Sequence, residues 1–148
     1  MLHKNSCTLI GNTPILKISN SYHINSNLYA KLECYNLTGS IKDRPVYQII
    51  KDLYKEKKIN ENTTIIEYTS GNTGISLSAM SNLFKNHIII VMPKIMSEAR
   101  RKMIKNYGAE LILVDGGMQG AKEKGYRHDS VGLCGAHDRH ERNVRRGK

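Results

Sequence analysis

The sequence predicts an α/β fold with a parallel sheet assembled from βαβ units, and three observations predict it. Short β-rich runs, Leu28–Leu32, Thr63–Glu67, His87–Met92 and Glu110–Val114, alternate with segments of helical apolar spacing. The His87–Met92 run is almost continuously apolar, as a strand covered on both faces of a parallel sheet requires. Two polar, glycine-containing loops, Gly39–Pro45 and Thr69–Gly74, fall where a strand gives way to a helix, the end of the sheet at which such folds bind ligands.

In order, residues 1–26 read as irregular, with turn signals at Gly11-Asn12 and Thr13-Pro14. Leu28–Leu32 alternates apolar and polar residues like a strand, and turn-formers follow at Asn36 and Gly39. Val46, Ile49, Ile50, Leu53 and Tyr54 then recur at helical spacing, which predicts a helix over Arg44–Lys58. Asp43 is placed to cap it, Pro45 suits its first turn, and Lys55, Lys57 and Lys58 suit its C-terminal end. Thr63–Glu67 is a strand. Thr73–Lys85 is a helix carrying Ile75, Leu77, Ala79, Met80 and Leu83. Ser97 caps a further helix with Ala99, Met103, Ile104 and Tyr107, and Gly108 ends it. Glu110–Val114 completes the set.

The organising stretch is Gly39-Ser40-Ile41-Lys42-Asp43-Arg44-Pro45. Lys42 stands at a strand-to-helix junction, near the positive end of a helix dipole and beside Arg44. Both effects favour the neutral amine and lower its pKa. Such a lysine can act as a nucleophile or form a Schiff base; from this stretch alone, a solvated surface lysine remains the other reading. Thr69-Ser70-Gly71-Asn72-Thr73-Gly74 aims hydroxyls and backbone N–H groups at one point, a site for a phosphate or carboxylate. A tight turn with an N-cap is its other reading. The loop is neither the G-x-G-x-x-G dinucleotide fingerprint nor a G-x-x-x-x-G-K-[ST] phosphate loop, which weakens a generic nucleotide-binding reading.

Together the two stretches resemble the pyridoxal-phosphate enzymes of the cysteine synthase and cystathionine β-synthase group. Ile10-Gly11-Asn12-Thr13-Pro14-Ile15 resembles that family's N-terminal signature. Lys31-Leu32-Glu33 with Asn36 resembles the strand and turn before its lysine. Met92-Pro93, Met96-Ser97, Arg100-Arg101-Lys102 and Gly108-Ala109-Glu110-Leu111 resemble the segment after its third strand. The resemblance runs from about Leu9 to about Asp115. Asn72-Thr73, where related branches carry Asn-His or Gln-His, favours the cysteine synthase branch over serine/threonine dehydratases and the tryptophan synthase β-subunit.

The resemblance implies the tryptophan synthase β-subunit-like fold of that family, represented by its N-terminal part and incomplete. It implies pyridoxal 5'-phosphate as cofactor, held by Lys42 as a Schiff base, with Lys42 then acting as general base. Asn72 is expected to hydrogen-bond the cofactor's ring oxygen, and Thr69, Ser70, Gly71 and Thr73 to hold the substrate carboxylate. Met96 and Ser97 are expected near the site entrance, or else as core packing and helix cap. The expected reaction is β-replacement in cysteine biosynthesis, from O-acetylserine and sulfide to cysteine, or a cystathionine β-synthase-type condensation with a thiol. The competing class is a non-catalytic remnant or interaction protein of the same fold. A homodimer is expected by resemblance alone. The family's second phosphate-cradling Gly/Thr-rich loop has no counterpart after Gly74, and family members are longer.

Composition narrows the alternatives. The 148 residues are 39% hydrophobic, with no apolar run near the length of a membrane span. The N-terminus lacks a secretory h-region, and Cys7, Cys34 and Cys134 show no metal-type spacing, so a reducing, cytoplasmic context without a bound metal is expected. The net charge of +10 invites a nucleic-acid partner. In residues 1–125, however, 17 Lys and Arg face 10 Asp and Glu, the lysines are dispersed, and there is no aromatic interleaving of the kind single-strand binders use. No nucleic-acid or membrane partner is expected. Residues 126–148 differ: five arginines (Arg127, Arg139, Arg142, Arg145, Arg146), one lysine and three of the six histidines occupy 23 residues. The chain is therefore divided into an enzyme-like α/β region, 1–125, and a basic tail, 126–148, expected to be disordered or non-native, for example from a frameshift. Cys134, His137 and His140 in that tail match no structural zinc pattern.

Overall fold

The computed structural model describes residues 3, 5–18, 27–116 and 131–132. A 3₁₀ turn (Ser6–Leu9), capped by the Asn5 side chain, leads to β1 (Ile15–Lys17). Then come β2 (Tyr29–Lys31) and a second 3₁₀ turn (Glu33–Tyr35). The rest alternates: α1 (Asp43–Lys55), β3 (Ile65–Tyr68), α2 (Asn72–Phe84), β4 (Ile88–Pro93), α3 (Glu98–Asn106) and β5 (Glu110–Val114). β6 (Val131–Gly132) is a two-residue strand.

The main sheet has the order β5-β4-β3-β6 and every pairing in it is parallel. All six residues of β4 are buried, as its apolar run predicts. Period-2 alternation sends Ile65 of β3 and Ile88, Ile90 and Met92 of β4 into the larger core cluster. Ile66, Ile89, Val91 and Val114 form a second cluster on the other face. α1 contributes Val46, Ile50 and Leu53, an i, i+4, i+7 stripe. α2 is buried continuously from Gly74 to Met80. It is an interior helix, lying against α1, α3 and β4.

Two expectations are corrected. β2 does not join the parallel sheet: it pairs antiparallel with β1, Leu16 opposite Ala30, and the ribbon is extended by Ile18 N–H donating to Leu28 O and Leu32 N–H to Pro14 O. Residues 15–17, expected as irregular, are therefore a strand; three residues are too few to show a period. α1 begins at Asp43 rather than Arg44 and ends at Lys55 rather than Lys58, because Lys57 takes a left-handed conformation (φ 54°) just beyond the cap. Residues 19–26 lie outside the described residues. So does the tail, with Cys134, His137 and His140, apart from the β6 backbone.

Candidate active site

Lys42 is itself the N-cap residue of α1 and is solvent-exposed. The loop before it is folded by Gly39, whose φ of +78° suits glycine, with Gly39 N–H donating to Asn36 O at 2.9 Å. The Ser40 hydroxyl accepts from Lys42 N–H at 3.1 Å. Among the described residues Lys42 Nζ has no hydrogen-bond or ionic partner, so the amine is available to a ligand.

Asp43, expected to cap the helix, is instead its first residue, and its carboxylate is turned inward and fully buried. Oδ2 accepts from Thr38 N–H at 2.6 Å, and Oδ1 accepts from the hydroxyls of Thr38 at 2.6 Å and Ser76 at 2.5 Å. Ser76 lies one turn into α2, just past the Thr69–Gly74 loop. This carboxylate therefore ties the first of the two stretches that the sequence singled out to the helix that follows the second.

Arg44 pairs its charge with a carboxylate. Its guanidinium grips Glu33 through Nε to Oε2 at 2.7 Å and Nη2 to Oε1 at 3.0 Å, and Nη2 also reaches the Thr13 hydroxyl at 2.9 Å. Glu33 further accepts from Thr13 Oγ1 at 2.7 Å and Asn36 Nδ2 at 2.8 Å. Asn36 Oδ1 accepts from Gly11 N–H at 2.8 Å, and Lys31 Nζ donates to Thr13 O. Hydrogen bonds from Arg44, then Thr13, hold the Glu33 carboxyl down at about 2. The network ties the turn at Gly11–Thr13, the end of β2 and the start of α1 into one support beneath the lysine loop.

The second loop sits at the C-terminal end of β3. Thr69 is buried; its N–H donates to Val91 O at 3.0 Å and its hydroxyl accepts from Gly71 N–H at 3.4 Å. Gly71 is the N-cap of α2, and no side chain caps that helix. Among the described residues the side chains of Ser70, Asn72 and Thr73 make no hydrogen bonds. A Cβ placed on Gly71 would meet nothing within 4 Å, so open space lies before the helix N-terminus. Uncapped N–H groups, a helix dipole and hydroxyls without a partner among the described residues are groups that can meet an anion.

Lys42, Thr69, Ser70, Gly71, Asn72 and Thr73 thus lie on two neighbouring helix starts, with no direct bond between Lys42 and the second loop among the described residues. Met96 packs against the core and exposed Ser97 is the N-cap of α3 without a side-chain hydrogen bond. Sequence reasoning missed the supporting carboxylates. Glu33 stands only in the motif before the lysine and Asp43 reads as a helix cap; the partners that reveal their roles, Arg44 and Ser76, stand 11 and 33 residues away.

The family model described as pyridoxal-phosphate dependent enzyme matches residues 7–135 of this chain. A cysteine synthase of a Flavobacterium species is 44% identical over 126 residues, which cover 84% of this chain and 41% of the relative. Cysteine synthase B of Campylobacter jejuni is 46% identical over 125 residues, 83% of this chain and 41% of the relative. The crystal structure of a hydrogen sulfide-producing enzyme from Fusobacterium nucleatum superposes with a TM-score of 0.80 at 43% identity, covering 84% of this chain and 41% of that one. The chain spans about two fifths of the length of the curated relatives it matches.

Proposed function

This chain belongs to the pyridoxal-phosphate-dependent enzyme family, and from that premise we propose that it carries the amine and carboxylate-binding part of a cysteine synthase site that joins O-acetylserine and sulfide to give cysteine. The observation that carries the reading is the exposed Lys42 amine at the start of α1, without a partner among the described residues, on a helix fastened through Asp43 and Ser76 to the uncapped start of α2.

The donor set suits pyridoxal phosphate at two points. Lys42 Nζ, which has no partner among the described residues, would hold it at its carbonyl carbon, and the Asn72 amide, likewise without one among them, would donate to its ring oxygen. When bound, the cofactor supplies the electron sink for the charge left on the substrate's α-carbon. Thr69, Ser70, Gly71 and Thr73 hold the substrate carboxylate through hydroxyls and N–H groups at the α2 N-terminus. The Lys42 amine would hold the cofactor and act as the general base toward the substrate's α-proton. The open space at Gly71 leaves room for the substrate. The site is proposed for a protein without a bound metal, working in the cytoplasm on small molecules. Among the described residues no helix is long and apolar enough to cross a membrane.

The test is an absorption spectrum of the chain with added pyridoxal phosphate, beside Lys42→Ala. A visible band that is lost in the variant, and that shifts when O-acetylserine is added, is the expected result. No band, or the same band in both proteins, would overturn the proposal and leave the non-catalytic reading.

A further inference from the structure

Asp43 has no place in the reaction proposed above, yet it is the most deeply buried ionisable group on the path between the two loops. It is fully buried at the first position of α1. Among the described residues no lysine or arginine pairs with it. A carboxylate in that setting is expensive unless its lone pairs are met by donors, and here three donors meet them: Thr38 N–H, Thr38 Oγ1 and Ser76 Oγ. The α1 dipole adds a favourable positive end. The donors come from two parts of the site. Thr38 belongs to the turn that opens the lysine loop, and Ser76 to the helix that presents the second loop. Thr38 Oγ1 and Ser76 Oγ also approach each other to 3.3 Å. A helix cap would need none of this, since a cap's carboxylate bonds its own helix.

We propose that Asp43 is a positioning residue: its buried carboxylate, clamped by Thr38 and Ser76, fixes the first turn of α1 and hence the Lys42 amine relative to the carboxylate-binding start of α2. The inference rests on the functional reading above for its purpose, but its geometry can be tested without it. The clamp sits inside the first turn of α1: Asp43 lies between the partners of its Val46 N–H to Lys42 O bond of 3.2 Å. Loosening Asp43 releases the Thr38 N–H directly and removes the side-chain anchor of the turn that this backbone bond spans, while β4 has its own partners in β3 and β5.

Ser76→Ala removes one donor and leaves the other two, so the chain retains its core. Asp43→Asn is the second variant; it keeps the size of the side chain but replaces one acceptor oxygen by an NH₂ group. Two readouts are taken on the full chain. The first is labelling by limiting pyridoxal phosphate, trapped with borohydride and mapped by peptide mass, expressed as the share at Lys42 relative to the other lysines. The second is amide hydrogen exchange at Thr38, Val46 and the β4 residues Ile89–Val91. The expected result is exchange about tenfold faster at Thr38 and Val46 in both variants, the size expected for losing one hydrogen bond to a carboxylate. Ile89–Val91 stay unchanged, and the share of label at Lys42 falls. Unchanged exchange at Thr38 and Val46, or an equal acceleration in β4, overturns the positioning role. If the wild-type chain shows no preference for Lys42, the proposed function fails, while the exchange comparison still decides the clamp.

Discussion

A methyl group added at Gly74 would lie 2.5 Å from Thr69 Cγ2 and 3.3 Å from Ile90 Cγ2. Two effects then oppose each other. Alanine is favoured over glycine inside a helix by about 1 kcal/mol, whereas overpacking a closed core costs about 1–3 kcal/mol. Sterics should win, because Thr69 is buried and its backbone is held by Val91, so the methyl group cannot swing away. Gly74→Ala is expected to lower the urea midpoint; a midpoint at or above the wild type would show that Thr69 yields. Glu33 gives a second prediction at this scale. Its carboxyl is held at about 2 in the folded chain against an ordinary value of 4.5. Between those two values the unfolded chain binds more protons than the folded one, so stability falls as the pH is lowered through that window and is fully present above it. In urea titrations at pH 3 and pH 7, Glu33→Gln should be less stable than wild type at pH 7 and show a smaller drop on acidification. An equal drop in both proteins would place the acid sensitivity elsewhere.

At the scale of elements, α3 shows the other way in which a glycine matters. Gly108 follows the helix with φ +92°, and a Cβ there would meet nothing within 4 Å. Gly108→Ala should therefore cost only the left-handed backbone conformation, about 1–2 kcal/mol, and Gly108→Asn should cost less, since asparagine tolerates that region. Melting temperatures ordered wild type, asparagine, alanine are expected; equal losses would mean that the variants share a steric cause. That ending was legible in the sequence, as were α2, β4 and β5, because long apolar patterns and a terminal glycine act locally. Glu110–Val114 matches β5 residue for residue. The β1–β2 ribbon was not legible. Alternation in Leu28–Leu32 reports a strand but not its partner, and β1 is too short to carry a pattern. The position of the Thr69–Gly74 loop between β3 and α2 could be read because that junction is local. The Gly39–Pro45 loop does lead into α1, but it follows the 3₁₀ turn Glu33–Tyr35 and the antiparallel β2 rather than the end of a strand of the parallel sheet. The connection of Asp43 to Ser76 could not be read, because it is a contact between residues 33 apart whose burial no local pattern reports.

For the molecule as a whole, the contrast lies between the parallel sheet, one face of which shares a core with α1, α2 and α3, and the ribbon, whose strands are largely exposed. An isolated two-stranded ribbon is marginal in water. Here it is fastened at one end, where Lys31 donates to Thr13 O and the Glu33–Arg44 network joins it to α1. The pairing register puts Ile15, Lys17, Tyr29 and Lys31 on one face, with Lys17 Nζ 5.9 Å above the Tyr29 ring. Leu16 and Ala30 share the other. Ile15 is 64% exposed, Leu16 50% and Tyr29 55%. Both faces of the ribbon therefore offer apolar surface to other molecules, which drives association even where no hydrogen bond is formed. The chain's net charge of +10 opposes that association at low salt and is screened as salt is added. Sedimentation velocity of the wild-type chain should show mass that rises with concentration and rises more steeply at high salt. Leu16→Lys should suppress the rise at every salt concentration while leaving the urea midpoint unchanged, because a half-exposed side chain contributes little to the core. If the variant associates like the wild type, the contact surface lies off the ribbon; if its midpoint falls, Leu16 is packed more tightly than its exposure indicates.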